Sequence, residues 1–166
     1  MVNYLYKALD GLTFALFAVA GVALLSMMLV VVLDVSLKYI FKQPVPGTLE
    51  MVSYWFMAAC AFLPLAHVQR KEAHIAMTLA TDWLPEKALR LLMGVILLIG
   101  AAYMALFAWS SAQEAIGMTS VGESTSAIYF EILIWPGRWC VPVGTGLMAL
   151  WMLLQGLTRL FGGRRA

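Results

Sequence analysis

The stretch Gly11–Leu33, which reads GLTFALFAVAGVALLSMMLVVVL, decides the fold. It holds 23 residues without a single charge and lies between Asp10 and Asp34. About 20 residues at about 1.5 Å each cross about 30 Å of hydrocarbon, so this stretch is long enough for a transmembrane helix. Helices satisfy their own backbone hydrogen bonds, as lipid requires of an open-ended segment. We therefore predict that the stretch spans a membrane.

Three further uncharged runs of 19 to 23 residues follow along the chain; they cover residues 51–69, 91–113 and 139–158. We predict an all-α integral membrane protein, a single four-helix domain over residues 1–166. The apolar pattern of the first run continues past Asp34 to Phe41. A helix over Gly11–Phe41 would be about 45 Å long, so we expect this long first helix to tilt or to project from the membrane.

The composition agrees with lipid as the main solvent. Hydrophobic residues make up 63% of the chain and charged residues 12%, whereas soluble domains carry about 25% charged residues. The net charge of +2 gives no reason to expect nucleic-acid binding. Cys60 and Cys140 form no paired motif, and His67 and His74 are the only histidines. We therefore expect no metal and no cofactor, although structural lipids remain possible at a subunit interface.

The Lys and Arg residues predict the orientation. With four spans, the two termini and the loop between spans two and three share one side. That side carries eight basic residues: Lys7, Arg70, Lys71, Lys87, Arg90, Arg159, Arg164 and Arg165. The other side carries three: Lys38, Lys42 and Arg138. We predict a membrane protein with both termini in the cytoplasm.

The first outer loop, residues 38–50, is predicted to be a sharp helical connection. Pro44, Pro46 and Gly47 end the first helix, and Thr48 is placed to cap the next one. Glu50 falls in the first turn of that helix, where a carboxylate complements the macrodipole.

Two interpretations of the charges in this loop stay open. Asp34 and Lys38 are four residues apart on the first helix, so they can pair in a tight, partly desolvated hairpin. Alternatively, Lys38, Lys42 and Glu50 meet a partner protein.

The other two loops are predicted to contain short interfacial segments. Ile75, Leu79 and Trp83 are four residues apart, as on one face of a helix that lies along the membrane surface. The second outer loop runs from Glu114 to Ser126, and the amphipathic stretch 127–137 follows it.

The last span opens with features that predict close packing. Arg138 at its entry is expected to snorkel or to pair with Glu131. Pro142, Gly144 and Gly146 form a candidate helix-packing face, because small residues let backbones approach closely. A kink at Pro142 explains the same pattern equally well.

The loops suggest a family. The run Asp34-Val35-x-x-Lys38-Tyr39-x-Phe41-x-x-Pro44-Val45-Pro46-Gly47-x-x-Glu50 closely resembles the end of the first helix in the small membrane subunit of tripartite ATP-independent periplasmic (TRAP) transporters. Arg70-Lys71-x-x-His74-Ile75 resembles a basic His-Ile element of the same family. Members often have Arg in place of Lys38, which changes hydrogen-bonding geometry but keeps the charge.

The resemblance implies a mechanism. A periplasmic binding protein delivers a small organic acid or similar solute, and a large many-helix subunit carries it with sodium by an elevator motion. The small subunit packs against the fixed scaffold of the large one. Lys38, Lys42 and Glu50 would meet the binding protein or the large subunit. Asp34, Pro44, Pro46, Gly47, Arg70 and His74 would be structural motif residues.

Two other functions are weighed against this one. A membrane anchor of a different complex, such as a respiratory enzyme, predicts a cofactor-bearing partner. A self-contained small transporter or membrane enzyme predicts activity from this chain alone. No ionisable residue lies in the middle of any predicted span, which argues against the last alternative because transport pathways usually place one there.

Overall fold

The computed structural model describes residues 2–43, 45–71, 85–126 and 131–161. Within these ranges four helical segments are long and apolar enough to cross a membrane: Tyr6–Phe41, Thr48–Arg70, Lys87–Val121 and Trp135–Phe161. We call the second of them span 2 and the fourth span 4. The predicted membrane fold of four helices is confirmed.

The elements follow one another as α1 (Val2–Phe41), α2 (Thr48–Met51), a π-helical turn (Val52–Phe56), α3 (Met57–Phe62), α4 (Leu65–Arg70), α5 (Glu86–Val121), β1 (Ser124–Ser126), β2 (Glu131–Leu133), α6 (Trp135–Arg138) and α7 (Cys140–Phe161). Span 2 therefore consists of α2, the π turn, α3 and α4. Pro64 separates α3 from α4, because proline has no N–H to continue the hydrogen-bond ladder.

The long helices exceed the uncharged runs from which they were predicted. α1 reaches Phe41 as expected but begins at Val2, so it is about 60 Å long. α5 continues to Val121, which contradicts the predicted loop from Glu114 onward. Ala and Met residues favour helix here, and Gly122 ends it in the left-handed conformation with φ of 66°. The tilt of α1 stays a prediction.

A short hairpin follows α5. β1 and β2 pair antiparallel, with Ser124 opposite Leu133 and Ser126 opposite Glu131. Part of the amphipathic stretch 127–137 is therefore strand, and residues 127–130 lie outside the described residues.

Span 4 lies at the centre of the arrangement. α7 packs on α5 along one side and on span 2 along the other, and α1 packs mainly on span 2. Within the most apolar 18-residue stretch of each segment, 44% of the residues of span 4 are buried, against 6% in the first span and 11% in the third. The helices thus lie broadly in the order α1, span 2, span 4, α5, with the two longest at the outside.

The two outer helices each bury one narrow stripe. The less exposed residues of α1 include a series spaced alternately three and four apart: Tyr6, Leu9, Thr13, Leu16, Ala20, Ala23, Met27, Val30 and Asp34. A series with the same spacing runs along α5: Gly94, Leu97, Ala101, Met104, Ala108, Ser111, Ala115 and Met118. This spacing is typical of helices that cross at about 20°. The remaining faces of α1 and α5 are mostly exposed and apolar.

Candidate functional site

The first outer loop is tied back to α1 by Asp34. Its Oδ1 accepts a hydrogen bond from the backbone N–H of Val45 at 2.7 Å. The predicted pair between Asp34 and Lys38 is wrong: the salt bridges of the described ranges do not include it. Gly47 has a φ of 87°, a conformation that favours glycine. These contacts explain the Asp and Gly of the motif as residues that shape the loop, whereas Pro44 lies outside the described residues.

The second span begins differently from the prediction. Gly47 occupies the N-cap position without a side-chain hydrogen bond, so Thr48 is not the cap. Thr48 is buried, and its hydroxyl donates to the carbonyl of Val45 at 3.1 Å. Pro46 is half-buried beside it. Glu50 lies in the first turn, as predicted.

The charged residues proposed to meet a partner are accessible. Lys38 and Lys42 are exposed, and Glu50 is half-buried. None of the three is in a salt bridge within the described ranges. Between the two lysines, Tyr39 is 88% exposed, the most of any large apolar side chain that the structure describes. The outer end of α1 therefore presents charge and apolar surface together.

Arg138 joins the hairpin to span 4. Its Nε and Nη2 donate to the two carboxylate oxygens of Glu123 at 2.5 and 2.6 Å, and Nη1 lies 3.6 Å from Glu114. The predicted partner Glu131 was wrong; it accepts a hydrogen bond from Ser124. The hydrogen bonds from Arg138 lower the pKa of Glu123 below its ordinary 4.5.

Two tryptophans add further connections at this end. The indole N–H of Trp55 donates to the carbonyl of Leu133 at 2.9 Å, and that of Trp139 donates to the hydroxyl of Thr119 at 3.1 Å. With the pair Arg138–Glu123, the bond from Trp55 fastens the hairpin to span 2 and span 4, and the bond from Trp139 joins span 4 to α5 beside it. We call this assembly, Glu123 and the hairpin with the side chains of Trp55, Arg138 and Trp139, the outer strap.

Span 4 approaches span 2 through glycines. A Cβ on Gly144 would lie 2.1 Å from the carbonyl oxygen of Phe62, and one on Gly137 would lie 1.9 Å from that of Tyr54. Gly144 thus packs as predicted, whereas the role of Gly137 was missed. Gly146 faces α5 loosely, because a Cβ there would lie 3.8 Å from the methyl group of Ala108.

Pro142 lies in the first turn of α7 and is buried. Proline is tolerated there because that turn leaves its N–H groups without helical partners. The helix is interrupted just before it, at Trp139 between α6 and α7. Pro142 has no N–H to bond the carbonyl of Arg138 and so cannot continue the ladder across this point.

At the opposite end, Arg70 pairs with Asp10. Its Nη2 donates to Oδ2 at 2.7 Å, and Nε contacts Oδ1. The pair joins span 2 to α1 across 60 residues of sequence. The sequence singled out Arg70 as a motif residue without its partner, and His74 lies outside the described residues.

Buried polar contacts continue inward from this pair. The indole N–H of Trp151 donates to the hydroxyl of Thr13 at 2.9 Å. The amide of Gln69 donates to that of Gln155 at 2.7 Å, and Gln155 donates in turn to the carbonyl of Gln69 at 3.0 Å. These bonds join α1, span 2 and span 4. No local sequence signal predicts them, because each partner lies 86 or more residues away.

This geometry binds the helices to one another and leaves Lys38 and Lys42 exposed at one end of α1. Among the residues that the structure describes, no group of three or more His, Cys, Asp or Glu side chains is placed to hold a metal ion.

The family comparison agrees with these features. The family model for the DctQ component of tripartite ATP-independent periplasmic transporters matches residues 27–162. The chain belongs to this DctQ family. No curated protein and no solved structure gives a significant match.

Membership in the DctQ family makes the chain the small membrane subunit of a TRAP transporter. The matched region begins within α1 and includes the first outer loop, the outer strap and all of span 4. Together with the four apolar helices, it identifies a multi-pass inner-membrane protein and a component of a transport system that has further subunits.

Proposed function

We propose that this DctQ-family chain is a non-catalytic scaffold for the large permease subunit of its TRAP transporter. The transporter would take up a small solute, such as an organic acid, that a periplasmic binding protein delivers, and the sodium gradient would drive it. Both termini would lie in the cytoplasm, on the side that carries eight of the eleven basic residues.

The one-sided burial of the two longest helices carries this proposal. α1 and α5 each bury a single stripe and leave wide apolar faces along lengths of about 60 and 54 Å. Lipid covers such faces as readily as protein does, so helix association in a membrane depends on shape. Two long surfaces on opposite sides of the same bundle suit a subunit that extends the framework of a larger one.

The distribution of charge supports a structural role. The described ion pairs, Asp10–Arg70 and Arg138 with its two glutamates, lie near the ends of the helices. Transport sites usually place ionisable groups at the middle of the membrane. The outer end of α1, with Lys38 and Lys42, and the half-buried Glu50 are the surfaces that we assign to the partner.

A pull-down from the native host tests the scaffold role. Tagged chain extracted in mild detergent should retain a roughly stoichiometric, many-helix membrane protein, identified by mass. Recovery of a soluble redox enzyme, or of the chain alone, would argue for an anchor of another complex or for an independent protein.

Charge reversal tests the outer surface. Lys38→Glu and Glu50→Lys should each weaken the complex or the uptake by about tenfold, since like charges at an interface cost affinity. Lys7→Glu changes a charge at the other end of α1 and is the matched control. Unchanged complex formation and uptake in both outer variants would refute the assignment of this surface.

A further inference from the structure

A row of exposed side chains runs along the side of α5 that faces away from the bundle. Positions three and four residues apart lie on one face of a helix. The row has this spacing and consists of Leu92, Ile96, Ile99, Tyr103, Leu106 and Ser110. We call it the outward stripe. It lies largely opposite the buried stripe along which α5 packs on α7.

Tyr103 places a hydroxyl group at the middle of the outward stripe. It lies ten residues before Gln113, the nearer end of the uncharged run 91–113, and its side chain is 66% exposed. Ten residues of helix rise about 15 Å, which is longer than a tyrosine side chain. The hydroxyl therefore cannot reach the membrane interface, where tyrosines usually lie. Among the hydrogen bonds of the described ranges, none includes it.

The exposed face of α1 differs in this respect. Its run 11–33, all of which the structure describes, contains two hydroxyl-bearing residues, Thr13 and Ser26. Thr13 is buried and donates to the carbonyl of Leu9 at 2.7 Å, and Ser26 is half-buried. The side chains exposed along this run are apolar, so lipid tails can cover them without leaving a polar group unpaired. α1 and α5 thus differ in what they require of their surroundings.

An unpaired hydroxyl in hydrocarbon is unfavourable. Lipid tails contain no hydrogen-bond acceptor, and the ester and phosphate oxygens lie at the interface, beyond the reach of Tyr103. A neighbouring helix can supply an acceptor at this depth, either from a polar side chain or from a backbone carbonyl that a proline leaves free. Hydrogen bonds of this kind join transmembrane helices. The position of Tyr103 therefore favours a protein over lipid as its neighbour.

A second copy of this chain fits the outward stripe poorly. Glu114 follows Ser110 by four residues on the same face and is exposed. Its neighbour Arg138 is paired with Glu123, so these three side chains together carry one net negative charge. A parallel pair of copies that crossed at Tyr103 would bring two such clusters to the same level, and like charges at an interface cost affinity. A different subunit can instead place a donor or a basic side chain there.

We propose that the outward stripe of α5 packs against a transmembrane helix of the large permease subunit, which places a hydrogen-bond acceptor opposite Tyr103. The same helix would carry a donor or a basic side chain at the level of Glu114. This inference rests on the proposed function, because that function supplies the partner. It adds which of the two long helices faces the large subunit within the membrane, and it concerns a different surface from Lys38, Lys42 and Glu50.

Photo-crosslinking in membranes of the native host tests which molecule covers the outward stripe. Benzoylphenylalanine replaces Leu106 or, as the matched control, Leu25 at the middle of the exposed face of α1. The two positions are 71% and 68% exposed, so neither change disturbs packing within the chain. Leu106→benzoylphenylalanine should give an adduct with the mass of the large subunit, at a higher yield than the control. An adduct with a second copy of the chain, or equal yields at the two positions, would overturn the proposal.

Tyr103→Phe tests the hydrogen bond separately, because it removes only the hydroxyl oxygen. It should raise the dissociation constant of the complex with the large subunit about threefold, the average contribution of an interhelical hydrogen bond. Tyr6→Phe removes the same atom near the end of α1, where water and headgroups are within reach, and should change nothing. An unchanged constant for Tyr103→Phe would contradict the proposed acceptor and overturn the proposal.

The two proposals fail in different ways. If the tagged chain recovers a large subunit while the adduct from Leu106 and the effect of Tyr103→Phe are both missing, the scaffold role stands and the choice of α5 is wrong. If no large subunit is recovered, the scaffold role itself fails, and this inference fails with it.

Discussion

Span 4 packs against its neighbours along two helix–helix interfaces, which we call seams, and the two are built in different ways. The seam with span 2 and α1 combines backbone contacts at Gly137 and Gly144 with a buried hydrogen bond from Trp151 and a partly buried one from Gln155. The seam with α5 consists largely of a stripe in which Gly94 and three alanines recur every seven residues. The first seam depends on hydrogen bonds, which require a donor and an acceptor in a defined direction. The second depends on the complementary shapes of two apolar surfaces.

The difference shows how a helix bundle gains specificity in lipid. Apolar packing contributes little selectivity between helices, because lipid tails are as apolar as leucine. A hydrogen bond such as that from Trp151 to Thr13 is satisfied in one register only. A glycine adds to this specificity when the atom that an added Cβ would meet is a backbone carbonyl oxygen, since the backbone cannot rotate away as a side chain can.

The largest expected effect comes from the first seam. Gly144→Ala places a methyl group 2.1 Å from the carbonyl oxygen of Phe62, so the helices must separate. We expect a net loss of about 2 kcal/mol in the free energy of unfolding, after the gain in helix propensity. Thermal unfolding in detergent measures it.

The same substitution at Gly94 is the matched comparison. Its methyl group would meet the flexible side chain of Leu160 at 2.8 Å, which can move. We expect a net change near zero, with Gly117→Ala, which meets nothing within 4 Å, as the unhindered reference. Equal losses at Gly144 and Gly94 would show that the two seams do not differ as described.

A smaller effect is expected at the pair of Asp10 and Arg70. The two side chains are 39% and 33% exposed, so removing one charge by Asp10→Asn or Arg70→Gln should cost about 1–2 kcal/mol, between the values for surface and buried pairs. The exchange variant Asp10→Arg with Arg70→Asp should recover part of the loss. If each single variant melts as wild type does, the pair contributes nothing to the seam.

The smallest effect concerns the outer strap and its dependence on pH. Arg138 lowers the folded-state pKa of Glu123 below its ordinary 4.5. The contribution of Glu123 to the stability of the folded state is therefore full above pH 4.5 and is lost as the pH falls through the folded-state pKa. We expect the melting temperature of wild type to be insensitive to this group between pH 5 and 8 and to fall more steeply with acid than that of Glu123→Gln.

Parallel acid profiles of wild type and Glu123→Gln would contradict this prediction. Glu131→Gln is the control, because the partner that the described residues give Glu131 is the uncharged hydroxyl of Ser124 at 3.2 Å.

Much of the fold followed from uninterrupted apolar runs. The four spans and the end of α1 at Phe41 were predicted, because a charge-free run of sufficient length has few alternatives in lipid. The extension of α5 to Val121 was missed, since Glu114 was interpreted as the start of a loop although a helix continues past the membrane boundary at little cost. The hairpin was missed as well, because two strands of three residues give too short a pattern.

Of the candidate site, Glu50 and Gly144 were placed correctly in their local roles, whereas Thr48 and the partner of Arg138 were not. For Arg138 the prediction chose the carboxylate nearest in sequence, whereas the structure pairs it with Glu123, a contact that depends on how the hairpin folds back. For Thr48 the cap lies one residue earlier, at Gly47, whose left-handed backbone begins the helix.

The sequence by itself determined that this protein crosses a membrane four times, and its loop residues indicated the family to which it belongs. Both depend on composition, run length and short motifs, which are local properties of the chain. Only the tertiary structure decided that Asp10 meets Arg70, that Gly144 meets Phe62 and that span 4 lies at the centre. These contacts join residues far apart in the chain, and lipid offers no hydrophobic driving force that would select them from the pattern alone.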